Sequence, residues 1–121
     1  MIILGLNIFH GDAAACIIKD EKIIIAVEEE RINRIKHSSG FPIKSINYCL
    51  KYSNLKISDI DFVCINRNPK VNLINKFIFV LKNKPSLSYI LDRAKNLKNI
   101  SGLKDIFLKH FKKDQLNFKI I

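Results

Sequence analysis

The sequence predicts an α/β fold: an antiparallel three-strand meander, a helix and a parallel strand, followed by a basic helical segment. Three observations predict it. Three short apolar runs stand close together near the start. A stretch with apolar residues at three- and four-residue spacing comes next, and a fourth short apolar run follows it. Tight connections pair strands antiparallel, whereas a strand reached through a helix can return parallel.

The first run, "MIILGLN", predicts a buried strand near 2–7. "AAACIIKD" predicts a second near 13–19, and "EKIIIAVEE", rich in β-branched residues, a third near 22–28. Asp20 and Glu21 are the turn between the second and third, which makes that pair a hairpin. "SSGFP" then punctuates the chain, and Pro42 suits a first helical position, where a missing N–H costs nothing. Ile43, Ile46, Cys49 and Leu50 predict an amphipathic helix over 42–53. "ISDID" predicts a turn with Ser58 as a cap. "FVCIN" predicts a fourth strand near 61–66, buried on both faces by its composition and parallel to the first. Beyond "RNP" the character changes. Residues 73–83, 86–98 and 103–113 show helical spacing of Leu, Ile and Phe among lysines, separated by Pro85 and Gly102. "LNFKII" closes the chain on a strand pattern, which predicts an unpartnered apolar edge and self-association through it.

Three strands, a helix and a fourth strand is the opening order of a ribonuclease-H-like half, the unit of the actin-like ATPases. A chain of 121 residues supports one core and no more. The 48% hydrophobic and 26% charged content is that of a globular protein. The formal charge of +10 is unevenly spread: residues 1–61 balance eight basic against eight acidic side chains, and residues 62–121 hold thirteen against three. Such a half suits a polyanion or, more simply, presents a solvated lysine face. Cys16, Cys49 and Cys64 are far apart and form no Cys-x-x-Cys pair, so neither a zinc site nor a redox motif is indicated. A reducing cytoplasm fits them. The start lacks a signal peptide's basic region, and "FIFVL" at 77–81 is far below membrane-spanning length.

Two clusters carry candidate chemistry. In "FHGDAAA", Gly11 and Asp12 stand at the first turn, where a small residue lets backbone N–H groups reach phosphate oxygens. His10 beside them is a general acid or base near neutral pH. On spacing alone an ordinary turn triplet, with Asp12 bonding its own backbone, is the favoured reading. In "EEERINRIKH", the group Arg31, Arg34, Lys36 and His37 is either an anion clamp or a solvated loop with internal Glu–Arg pairs.

"ILGLNIFHGDAAACII", "AVEEERINRIKHSSGFP" and "YCLKYSNLKISDIDFVCINRNP" together resemble the N-terminal region of the carbamoyltransferase family of nodulation-factor and antibiotic biosynthesis. The resemblance runs over residues 2–69, and beyond 70 it is one of kind only, a variable, basic, helical segment. It implies an actin-like domain similar to the threonylcarbamoyl-transfer proteins. It implies that carbamoyl phosphate and ATP yield a carbamoyl-adenylate, whose carbamoyl group passes to a hydroxyl of a sugar or small-molecule acceptor. By the same resemblance His10 is catalytic, and Lys36, His37 and Arg67 bind substrate, beside Gly11 and Asp12, which the first-turn reading assigns to substrate binding.

The family's His-x-x-x-His metal motif is not in this sequence, and His110 stands alone. The divalent metal and ATP are therefore expected of a longer enzyme, with no metal ligand and no cofactor assigned to this segment. The expected organisation is 1–69 as the start of the actin-like domain, 70–115 as a basic helical insertion and 116–121 as the start of the next core strand, in a truncated chain inactive by itself. The alternative is a small nucleic-acid-binding module using the lysine-rich helices. Phe77, Phe79, Tyr89, Phe107, Phe111 and Phe118 count against it, because most occupy apolar helical positions that suit a core better than base stacking. A sugar kinase or chaperone ATPase of the same fold is weaker, since the first turn is His-Gly-Asp.

Overall fold

The computed structural model describes residues 1–9, 11–66, 72–88, 90–91, 94, 102–112 and 116–121. The chain forms two compact units, residues 1–66 with 104–121, and residues 67–103.

The first unit is built on the meander: β1 (Ile2–Asn7), β2 (Ala14–Lys19) and β3 (Lys22–Glu28). Asp20 and Glu21 both adopt left-handed backbone, with φ of 48° and 66°. That is the two-residue turn whose twist matches antiparallel strands, achieved here without glycine. A bulge between Ile17 and Ile18 shifts the β2–β3 register, pairing Ile17 with Ile25 and Ile18 with Ile23. The short helix α1 (Glu29–Asn33) follows β3 directly, and α2 (Ile43–Tyr52) follows a loop. Pro42 stands at the N-cap, one residue before the helix rather than at its first position. After α2 a 3₁₀ turn, Ile57–Asp59, leads to β4 (Phe62–Ile65). That turn is capped by the Asp59 carboxylate, which accepts from the Lys56 N–H at 2.8 Å, so Asp59 rather than Ser58 is the cap.

β4 adds to β1 in parallel, pairing Leu4 with Val63 and Gly5 with Cys64. In the second unit, α3 (Leu73–Asn83) carries Ile74, Phe77, Ile78 and Leu81 at i, i+3, i+4 and i+7. All four are exposed, and so is Phe79. These side chains therefore do not join the core that their spacing suggested. The chain re-enters the first unit through α4 (Leu103–His110) and ends on β5 (Lys119–Ile120). The sheet order is β3-β2-β1-β4-β5. Phe62 and Val63 of β4 pair with Lys119 and Ile120 of β5 in parallel, and β5, last in the sheet order, keeps its other edge unpaired among the described residues. The Ile121 N–H also reaches the Val63 carbonyl at 2.9 Å.

Alternation along the strands puts Leu4, Leu6, Ala15, Ile17 and Val63 on one face, all buried. Ile46, Cys49 and Leu50 of α2 are buried too, and the Cys49 thiol donates to the Ala15 carbonyl. Phe107 and Phe118 complete the core, their ring centroids 4.8 Å apart. Each such aliphatic or aromatic side chain contributes about 1.5–3 kcal/mol when fully buried. The opposite face is half open. A cleft of about 460 Å³ lies there, lined among others by Gly5, Asn7, Cys16, Ala26, Cys64 and Asn66. β4 is therefore buried on one face only: Val63 is fully buried, while Phe62 and Cys64 on the other side are partly exposed.

Candidate functional site

The turn between β1 and β2 is wrapped by its own strand end. The Asn7 amide donates to the carbonyls of Gly11, at 3.3 Å, and Asp12, at 2.8 Å. Its oxygen accepts from Asn66, beyond β4, at 2.6 Å. Phe9 and Asp12 have φ of 53° and 61°. Non-glycine residues enter this region mainly in turns, and Asp tolerates it better than most.

The second segment is the loop after α1. Arg34 closes that helix with φ 64°, and His37 and Gly40 have φ of 53° and 112°. Only glycine takes the last value without strain. Asn33 organises the loop, donating to the Ser38 hydroxyl and accepting from the Ile35 N–H, both at 2.8 Å. Two backbone bonds then join loop to turn: Phe9 N–H to the Gly40 carbonyl at 3.0 Å, and Ala13 N–H to the Ser38 carbonyl at 2.9 Å. At their outer end, His37 Nδ1 meets Asp12 Oδ1 at 3.0 Å. The His37 N–H donates to Glu30 Oε2, also at 3.0 Å. The hydrogen bond that the imidazole donates to Asp12, and the Asp12 charge, hold the imidazole above its ordinary pKa; desolvation opposes this, and the Glu30 charge adds to it.

Glu29 has a different task. Its side chain is buried, and its carboxylate accepts from the N–H groups of Lys44, at 3.2 Å, and Ser45, at 2.7 Å. These are orphan donors of the first turn of α2, which the Pro42 cap cannot satisfy. The Glu29 N–H also donates to the Ala13 carbonyl at 2.8 Å. One residue thus ties together β2, α1 and α2. Glu28 and Arg31 make an exposed i, i+3 contact of 3.4 Å, worth little.

Of the residues singled out in the sequence, Asp12 and His37 are brought together, and Gly11 shares their turn. Lys36, next to His37, is exposed and has no ion-pair partner among the described residues. His10 and Arg67 lie outside the described residues. His110 stacks on Phe41, rings 5.6 Å apart and 10° from parallel. Asn7, Glu29 and Glu30 were missed, because their roles depend on partners far along the chain. The signals were a polar residue ending an apolar strand, and a helix whose cap position is a proline.

Asp12, Glu30 and His37 each place a ligand-type atom within 4.8 Å of the others. In this arrangement the imidazole contacts Asp12, and Glu30 accepts from the His37 backbone N–H. The cysteines are unpaired. Burial pushes the Cys49 thiol up to about 11 and raises that of Cys16, so both are poor nucleophiles. Among the described residues no helix is long and apolar enough to cross a membrane.

Comparison with known proteins adds the following. The family model described as "Carbamoyltransferase N-terminus" matches residues 2–118. The chain is similar to the nodulation protein NolNO of Sinorhizobium fredii, 53% identical over 57 residues, which is 47% of this chain and 8% of that protein. It is 39% identical over 69 residues to an uncharacterised protein of Synechocystis, covering 57% of this chain and 11% of that one. An uncharacterised protein of Methanocaldococcus jannaschii is 32% identical over 80 residues, 63% of this chain and 15% of that one. The chain thus spans 8%, 11% and 15% of the length of these relatives. Among solved structures, YeaZ from Pseudomonas aeruginosa superposes with a TM-score of 0.41 at 9% identity, over 59% of this chain and 32% of that one.

Proposed function

Since this chain belongs to the carbamoyltransferase N-terminus family, we propose that it is the opening part of an O-carbamoyltransferase acting on a hydroxyl of a sugar or small-molecule acceptor. The observation that carries this reading is the joining of the two family-like segments. The turn 9–13, which holds His10, and the loop 34–40, which holds Lys36, are bonded to each other at Phe9–Gly40 and Ala13–Ser38. Residues 31 and 25 positions apart in the chain are thereby held side by side, which supports one site.

Within it, His10 is the proposed group that orients or deprotonates the acceptor hydroxyl. Gly11 is the place where a phosphate-bearing donor approaches the backbone. A Cβ at Gly11 would meet no atom within 4 Å, so the space beside it is open. Lys36, exposed and without an ion-pair partner among the described residues, and Arg67, just beyond β4 in the sequence, are the proposed countercharges for that phosphate. ATP, when bound, supplies the activation of the carbamoyl group. A divalent metal belongs to the longer protein in this reading, because the His-x-x-x-His motif that the resemblance implies is not in this sequence. The sheet order, with β1 flanked by antiparallel β2 and parallel β4, supports an actin-like half for the domain. The three free cysteines support a reducing compartment, the cytoplasm.

The test is a chimera in which this chain replaces the matching residues of the rhizobial nodulation protein. Given carbamoyl phosphate, ATP, magnesium or iron and a panel of hydroxyl acceptors, it should carbamoylate an acceptor. The same chimera with His10→Asn should be slower by about 100-fold or more. The 121-residue chain alone should show no turnover. A folded chimera that is inactive, or one indifferent to His10→Asn, would sink the proposal.

A further inference from the structure

We infer that Asp12 and His37 are positioning residues of this site: their ion pair, backed by Glu30, clamps the 9–13 turn to the 34–40 loop and so holds the Lys36 segment beside that turn for the phosphate-bearing donor. The inference deepens the transfer-site reading above and rests on it. It departs from a substrate-binding role for these two side chains, because their charged atoms are directed at each other, 3.0 Å apart.

The clamp has three parts. The backbone bonds Phe9–Gly40 and Ala13–Ser38 set the two segments side by side. The bond from the His37 N–H to Glu30 fixes the loop to α1. The Asp12–His37 pair closes the remaining end, between two residues that both hold left-handed backbone. Such conformations persist only where surrounding interactions over-determine them. The groups facing the imidazole are Asp12 from the turn and Glu30 from α1, with the exposed Arg34 and Lys36 on its own loop.

The clamp is sensitive to pH because one partner is an imidazole. His37 is bound most strongly when protonated, and its folded pKa is raised. The stabilisation is therefore fully present below the ordinary value of about 6.5 and fades as pH rises through the folded value. Neither residue needs to touch the reacting atoms for this to alter the site.

The experiment is an NMR titration of the isotope-labelled 121-residue chain from acid to mildly alkaline pH, reading the His37 imidazole and the exchange protection of the Phe9 and Ala13 amides. The His37 midpoint should lie above that of a solvated imidazole. Protection factors at Phe9 and Ala13, corrected for intrinsic exchange, should fall roughly three- to tenfold across that midpoint, while amides of β1–β2 hold steady. Asp12→Asn should return the midpoint toward the solvated value and abolish the pH dependence. His37→Gln should show the lower protection at every pH. Protection that stays constant while His37 titrates, or a pH dependence that survives Asp12→Asn, overturns the inference. If Asp12→Asn does not fold, the wild-type titration alone decides it. The readout needs no turnover. An inactive chimera with a working clamp would defeat the carbamoyl-transfer reading, and an active chimera with no clamp would defeat this one.

Discussion

Gly5 is glycine because Cys16 occupies the space beside it. A Cβ at that position would lie 2.6 Å from Cys16 Sγ, closer than such atoms approach. The two residues are direct partners in the β1–β2 register, and Cys64 sits opposite Gly5 on its other side. Gly5→Ala should therefore destabilise the domain by about 1–3 kcal/mol, as overpacking does. Adding Cys16→Ala should recover most of that loss. Urea unfolding of the four proteins of the cycle checks it, and additive effects would show that the contact is not the cause. Glu29 illustrates the other kind of residue-scale constraint, a buried carboxylate held in place by two helix N–H groups. Nothing in "EEER" distinguishes it from Glu28, which is half-buried, or Glu30, because the distinction is made by α2, fifteen residues on.

At the scale of elements, the Asp20–Glu21 turn is a tight connection made without glycine. Both residues carry positive φ, and glutamate gains nothing there that glycine would not. Glu21→Gly should stabilise the hairpin by roughly 0.5–1 kcal/mol, seen as a higher urea midpoint at unchanged slope. A lower midpoint would mean that the turn depends on the Glu21 side chain. The strands and α2 were legible in the sequence, because apolar runs and three- to four-residue spacing report burial directly. β1 and β3 lie where the runs predict, and β2, β4 and α2 differ from expectation only at their ends. What was not legible depends on distant partners. The composition of β4 suggested burial on two faces, but only Val63 meets the core. β5 is just two residues long and exists because β4 offers an edge. The spacing in α3 promised a core stripe, and Ile74, Phe77, Ile78 and Leu81 are exposed. In the site, "HGD" and "KH" were visible as candidates. That Asp12 and His37 bind each other is a fact of the fold, since 25 residues separate them.

For the whole molecule, the division into units gives a direct test. The first unit holds the sheet, α2 and the buried set Leu4, Leu6, Ile17, Ile46, Val63, Phe107 and Phe118. Replacing residues 67–102 with a flexible Gly/Ser linker, which keeps the buried Leu103 at the start of α4, should leave this unit cooperatively folded, with its strand and helix circular-dichroism signals intact. Loss of a cooperative transition would show that residues 67–102 are required for the core. The sheet also carries a consequence for synthesis on the ribosome. β1, β2 and β3 are neighbours in sequence and in space, and α2 is complete by Tyr52. They can therefore assemble early, through short loop closures. β4 has to wait for its second neighbour: Val63 pairs with Ile120, and all of 67–103 is translated in between. At about 5–20 residues per second, a nascent chain leaves that edge bare for several seconds. During that interval the β4 edge is the place where a second nascent chain, or a chaperone, gains its foothold.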